Sequence, residues 1–226
     1  MAERCETGWE GRLARLVTHP YFAVAHRLRW EGQERVPLEG PAVLAANHQS
    51  FLDPVALGLA LPRPIVFMGA AIYYRAPVVG PLMRLFRTVP VEEDAPGPSS
   101  IERMLGALQK GSLVGIFPEG QRTRDGLLGL PHEGVATLAL RSGAPLIPAT
   151  IAGAYAAWPV GRLSPRLASI RVYFGHPFRV EGESTRLRRR EVTRDLMLRI
   201  ADGFRLLGEP ERAARSRRRL LTQYRV

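Results

Sequence analysis

The sequence holds one cysteine, one lysine and no apolar run suited to crossing a bilayer. A lone thiol, Cys5, cannot close an internal disulfide, so the fold needs no such staple or sits in a reducing compartment. Lys110 is the only lysine, which leaves arginine as 31 of the 32 basic residues. We attribute that imbalance to GC-rich codons rather than to chemistry. The longest uncharged run, residues 142–161, is 20 residues long but contains Pro145, Pro148, Pro159, Gly143, Gly153 and Gly161. Lipid would leave such a broken backbone unsatisfied, so no transmembrane helix is expected. Nor does an apolar stretch follow a basic start, since Glu3, Arg4, Glu6, Glu10 and Arg12 alternate in sign, and no signal peptide is expected. A G-x-S-x-G elbow is missing, and the five histidines (19, 26, 48, 132, 176) lack ligand spacing. A serine nucleophile of that type and a metal are therefore not expected.

What is present suits one ordinary domain. The 226 residues are 46% hydrophobic and 23% charged, enough to build a core and unlike a disordered or coiled-coil chain. The formal charge is +11, with residues 1–40 at net 0, residues 41–180 at +5 and residues 181–226 at +6. A chain this basic attracts an anionic partner. Nucleic acid is the poorer candidate, because Phe204 and Tyr224 are the only aromatics among the arginines of 181–226 and no stacking platform results.

Strand and helix patterns alternate along the middle of the chain. Apolar runs predict strands at 41–46, 64–68, 88–91, 113–117, 145–151 and 169–174. Helices are expected at 53–61, with Asp53-Pro54 as an N-cap and N1 pair, and at 76–86. Further helices are expected at 99–109, with Ser99 and Glu102 at capping-box spacing, and at 134–141. A long amphipathic helix is expected at 185–207, with Val192, Leu196, Met197, Ile200, Phe204 and Leu207 on one face. This order argues an α/β fold: a single layered domain with a mostly parallel sheet flanked by helices. We divide the chain into an N-terminal amphipathic segment (1–32), the main domain (33–208) and a basic C-terminal tail (209–226) expected to fray. In the first segment Trp9, Leu13, Leu16, Val17, Tyr21, Phe22 and Leu28 alternate with arginines. That pattern suits a helix lying in a membrane interface, and equally a helix packed on its own domain.

Two stretches carry chemistry. Asn47-His48-Gln49-Ser50-Phe51-Leu52-Asp53 follows a strand, where sites form in α/β sheets. A tight loop there can fold Asp53 onto the His48 imidazole, fixing its tautomer for proton transfer. Taken singly, Asp53 also reads as a plain N-cap and His48 as a solvated loop residue. Phe117-Pro118-Glu119-Gly120-Gln121-Arg122-Thr123-Arg124 follows another strand and offers guanidinium groups suited to a phosphate. The alternative there is a solvated surface loop.

Together these stretches resemble the first and third motifs of the glycerolipid acyltransferases of the lysophosphatidic acid acyltransferase type (1-acyl-glycerol-3-phosphate acyltransferases). Residues 29–41 resemble the lead-in to the first motif, and Ser142-Gly143-Ala144-Pro145-Leu146-Ile147-Pro148 resembles the fourth. The resemblance implies acyl transfer from acyl-CoA or acyl carrier protein, used as substrate with no cofactor, to the free hydroxyl of a lysophospholipid. It implies His48 as general base, Asp53 as its orienting partner, Glu119, Gly120 and Arg122 as contacts of the acceptor's glycerol phosphate, and Pro148 as part of the acyl side. It also implies a peripheral enzyme on the cytoplasmic face of the cell membrane, and the net +6 of residues 181–226 reads as attraction to an anionic bilayer. The second motif departs from the family. Gly69–Tyr74 lacks the expected lysine, and Val89-Pro90-Val91 is followed by Glu92-Glu93-Asp94 where a basic residue is usual. Arg75, Arg84 and Arg87 are possible substitutes. A different lysolipid or hydroxylated lipid therefore stands as an alternative acceptor.

Overall fold

The three innermost strands of the sheet are buried along their length because layers cover both of their faces. The computed structural model describes residues 9–70, 74–75, 80, 83, 89–91 and 98–224. The expectations placed on 76–86, on Arg84 and Arg87 and on Glu92–Asp94 lie essentially outside those residues. Helix α1 (Trp9–Ala25) leads into strand β1 (Arg29–Glu31), a short 3-10 turn (Gln33–Arg35) and β2 (Ala42–Ala46). Then follow α2 (Asp53–Ala60), β3 (Ile65–Ala70), β4 (Val89–Val91), α3 (Pro98–Gln109) and β5 (Leu113–Ile116). The rest comprises α4 (Gly134–Ser142), β6 (Leu146–Ala152), the single turn α5 (Ala154–Ala157), β7 (Arg171–Phe174), α6 (Arg186–Leu206) and α7 (Pro210–Gln223).

The seven strands lie in the order β1-β7-β6-β2-β5-β3-β4, parallel throughout except where β6 meets β7. Strand β2 sits at the centre with all five residues buried, as a parallel strand covered on both faces should be. One face of the sheet packs α2 through Leu57, Leu59 and Leu61, with Phe22 of α1 in the same cluster. The other face packs α3, α4, α6 and α7 through Leu108, Leu138, Leu196 and Leu220. Each such large side chain contributes about 1.5–3 kcal/mol when fully buried. Helix α6 starts at Thr185, whose hydroxyl accepts the Arg188 N–H at 3.2 Å. Such a cap is worth about 1 kcal/mol. Gly203 lets this helix touch the sheet: a Cβ there would stand 2.0 Å from the Thr150 hydroxyl.

The structure corrects four expectations. Residues 209–226 do not fray as a tail: Pro210–Gln223 form α7, which seats Ala213, Ser216 and Leu220 in the core. Residues 29–31, assigned to the N-terminal segment, form an edge strand parallel to β7, so the sheet begins inside that segment. Ser99 lies within the first turn of α3, which begins at Pro98, so it is not the cap. Asp53 is the first residue of α2 rather than its N-cap, which is Leu52. Its carboxylate turns back along the chain, for a reason found in the site.

Candidate active site

Strands β2 and β5 are neighbours, and the two motif-bearing loops leave their C-terminal ends side by side. Asn47 extends the pairing of β2 with β6 by its side chain. Its amide donates to the Ile151 carbonyl at 3.0 Å, and its oxygen accepts the Ile151 N–H at 2.7 Å. Past that anchor the chain turns tightly. Oδ2 of Asp53 accepts the backbone N–H groups of Gln49 and Ser50 at 2.5 and 2.7 Å, and His48 Nδ1 at 2.8 Å. A carboxylate only accepts, so Nδ1 carries the proton and Nε2 presents its lone pair. The Asp53 side chain is fully buried, whereas that of His48 is 18% exposed. One end of this pair is therefore fixed and the other reachable. The imidazole lies flat on Phe117, with ring centroids 4.1 Å apart, and Phe117 stacks on Phe67 at 5.6 Å. The His48 ring is thus held by a hydrogen bond at one edge and an aromatic face beneath.

The second loop binds the first through its own backbone. Glu119 Oε1 accepts the His48 N–H at 2.7 Å, and Oε2 accepts the Gly129 N–H at 2.5 Å. Thr123 N–H donates to the His48 carbonyl at 2.9 Å. Both backbone groups of His48 are therefore clamped by residues from the neighbouring loop. Glu119, expected to touch the acceptor, is 2% exposed and has both oxygens committed to N–H groups. Burial pushes its carboxyl up to about 7, against the opposing pull of those two N–H groups. Gly120 has φ +67°, and a Cβ there would stand 2.9 Å from the His132 ring. Its place in the motif thus has a backbone reason. The His132 N–H in turn donates to the Pro118 carbonyl at 2.8 Å.

Arg122 does reach the site's rim. Its guanidinium carbon lies 3.5 Å over the Phe51 ring, three residues beyond His48. Such stacking holds a guanidinium without neutralising it. Pro148 is elsewhere. It lies buried inside β6, on the face that carries Leu146 and Thr150, and Thr150 bonds the Ile200 carbonyl of α6 at 2.7 Å. His48 stacks on Phe117 at the opposite face, so the sheet separates Pro148 from the imidazole. Arg75 is exposed beyond β3, and no contact with His48 is recorded for it.

Sequence reasoning missed the support under this loop. From α7, Arg219 pairs with Asp125 and reaches the Leu128 carbonyl, Arg212 donates to the Gly126 carbonyl, and the Ser216 hydroxyl accepts the Leu128 N–H at 3.4 Å. The Arg219 guanidinium holds the Asp125 carboxyl down at about 2, well below its usual range. Tyr155 adds a bond from its hydroxyl to the Arg124 carbonyl at 2.7 Å. The only signal for α7 was Ala213, Ser216 and Leu220 at helical spacing, a stripe of mostly small residues in a run of arginines.

Comparison with known proteins agrees with this fold. The fold superposes on the crystal structure of the 1-acyl-sn-glycerophosphate (LPA) acyltransferase PlsC from Thermotoga maritima with a TM-score of 0.72. That match covers 88% of this chain and 79% of that one at 22% identity. Among curated proteins, the chain is 32% identical over 151 residues to the chloroplastic 1-acyl-sn-glycerol-3-phosphate acyltransferase LPAT1 of Arabidopsis thaliana, covering 66% of this chain and 41% of that protein. It is 33% identical over 123 residues to the 1-acyl-sn-glycerol-3-phosphate acyltransferase of Bacillus subtilis (strain 168), covering 54% and 60%. The chain thus spans between two fifths and three fifths of the length of these relatives. The family described as Acyltransferase matches residues 27–152, which hold both loops, the His48–Asp53 pair and the Glu119 clamp, and the chain belongs to that family.

Proposed function

We propose that this chain is an O-acyltransferase that moves an acyl group from acyl-CoA or acyl carrier protein to the free hydroxyl of 1-acyl-glycerol-3-phosphate, giving phosphatidic acid. The observation that carries this reading is the imidazole held by Asp53 at Nδ1, with Nε2 left to take a proton. The acceptor hydroxyl gives its proton to His48 Nε2 as its oxygen attacks the thioester carbonyl. The tetrahedral intermediate then expels the thiolate, which takes the proton back from the imidazolium. Asp53 stabilises the imidazolium in between, and this type of general-base step is worth roughly 10²–10⁴-fold. Glu119 acts in this scheme as a positioning residue, holding the His48 backbone rather than the acceptor. Arg122, laid on Phe51 and without an ion pair among the described residues, is the group offered to the acceptor's phosphate.

We place the enzyme at a membrane surface on the cytoplasmic face, where its lipid acceptor resides. No described helix is long and apolar enough to cross a membrane. The acids following Val91 favour a second reading, the same chemistry on an acceptor with a different headgroup. The test is thiol release from acyl-CoA or acyl carrier protein across a panel of lysolipids. We expect turnover with lysophosphatidate, and a His48→Ala variant that keeps its thermal stability but loses the reaction. An active alanine variant would overturn the mechanism. Thiol release with a different lysolipid alone would replace the acceptor and keep the chemistry.

A further inference from the structure

From residue 134 to residue 180 the chain contains no aspartate or glutamate. Within that stretch, the segment between α5 and β7 holds the most exposed large apolar side chains of the described residues: Leu163 is 99% exposed and Leu167 is 83% exposed. Floppiness does not explain them, because the segment is tied at both ends. Trp158 Nε1 donates to the Arg162 carbonyl at 2.8 Å, and the Arg166 N–H donates to the Ala157 carbonyl at 2.7 Å. The Ile170 N–H donates to the His26 carbonyl at 2.8 Å, and His26, buried at the end of α1, contacts the Ala168 carbonyl through Nδ1 at 3.3 Å. Pro159 and Pro165 stiffen what lies between. The fold thus holds two leucines out in water on a preformed loop, with Arg162 and Arg166 beside them and no carboxylate partner for either among the described residues. On α1, joined to this loop through His26, Tyr21 and Val24 are exposed as well.

The loop is also next to the site. The Trp158 ring meets Phe51 edge-on at 5.5 Å, and Phe51 carries the Arg122 guanidinium. We propose that residues 159–168 form a bilayer-contacting loop, with Leu163 and Leu167 entering the acyl boundary of an anionic leaflet and Arg162 and Arg166 meeting its phosphates. Leucines beside unpaired arginines, with no acid nearby, match the layering of an anionic membrane surface. An acidic protein would meet the arginines but give the leucines nothing. The loop then sets Arg122 and His48 near headgroup level, so a lysolipid need not leave the leaflet.

The test uses the full chain and phosphatidylcholine vesicles with and without phosphatidylglycerol. Leu163→Ser/Leu167→Ser should lower vesicle partition by roughly tenfold or more, with unchanged melting temperature because both side chains already stand in water. Arg166→Glu should lower binding to the anionic vesicles only, and Arg215→Glu/Arg218→Glu on α7 should leave binding as it was. An environment-sensitive fluorophore on Leu163→Cys, in a Cys5→Ser chain, should shift to the blue on anionic vesicles. Native binding by the double serine variant, an unshifted fluorophore on bound protein, or binding to acyl carrier protein but not to vesicles would each overturn the proposal. The vesicle measurements stand whatever the reaction is. A final arm rests on the function proposed above: with a monomerically dispersed short-chain acceptor, the double serine variant should match the native chain. A loss there would mean that the loop shapes the site itself and would overturn its role at the bilayer. No turnover by either chain would sink the reaction and leave the vesicle result to decide the loop.

Discussion

Two arginine-rich regions of this molecule use the same side chain in opposite ways. In the helix pair α6–α7, guanidinium groups meet carboxylates: Arg188 with Glu191, Arg199 with Asp195, Arg212 with Glu209 and Arg217 with Asp202. Two more reach out of the pair, Arg189 to Glu133 and Arg219 to Asp125. Around the site and the 159–168 loop, Arg122, Arg124, Arg162 and Arg166 have no carboxylate partner among the described residues. Six of the thirteen arginines of residues 181–226 thus meet a carboxylate, and this region packs the face of the sheet away from His48. The net +6 of residues 181–226 already includes the carboxylates of that stretch, so pairing fixes where those side chains lie without cancelling the charge. A charge is available to a ligand only when the fold has left it unmatched.

That contrast can be broken by substitution, and the largest effect should come from the unmatched side. Arg122→Ala should lower kcat/KM for a phosphate-bearing acceptor by roughly 10–100-fold, the worth of a charged hydrogen bond, and leave a neutral acceptor nearly unaffected. Arg217→Ala on α7, whose guanidinium is held by Asp202, is the counterpart, and an equal loss there in steady-state kinetics would erase the distinction. Glu119→Gln comes next. It turns an N–H toward an N–H at either His48 or Gly129, which should cost about 1–3 kcal/mol and slow turnover without altering acceptor preference. It carries a pH signature as well. The native Glu119 carboxyl is raised to about 7 from an ordinary 4.5, so the folded state keeps a proton that the unfolded state releases. Stability should fall as pH rises from about 4.5 to about 7, and this slope should be absent from Glu119→Gln in denaturant titrations.

The smallest effect belongs to the matched side. Asp125→Asn removes the carboxylate that Arg219 grips from α7, and a half-exposed pair of this kind is worth under about 1 kcal/mol. Because Asp125 is depressed to about 2 from 3.8, its contribution is complete above 3.8 and disappears as pH falls toward 2. Native and variant chains should therefore differ slightly at neutral pH and converge in acid.

Most of the sheet was legible because apolar runs between turn residues leave few alternatives for buried parallel strands. Strand β1 was not, since Arg-Trp-Glu at an edge makes no apolar run. Helix α7 was not, since Pro210 reads both as the end of one helix and as the first residue of the next, and the arginines around it suggest solvent. In the site, the five-residue separation of His48 and Asp53 was enough to propose their contact. Glu119 was harder: a motif says that a carboxylate is needed but not whether it faces a substrate or a backbone N–H. Strand alternation puts Pro148 on one face with Thr150, but only the fold shows that this face turns to α6.

The brace from α7 also orders events in time. Arg219 and Asp125 are 94 residues apart in sequence, so the loop that clamps His48 leaves the ribosome long before its support exists. A nascent chain with His48, Asp53 and Glu119 already made still lacks the helix that holds residues 125–128. Competence for the reaction is therefore acquired late in synthesis, when α7 docks, and not when the last motif is translated.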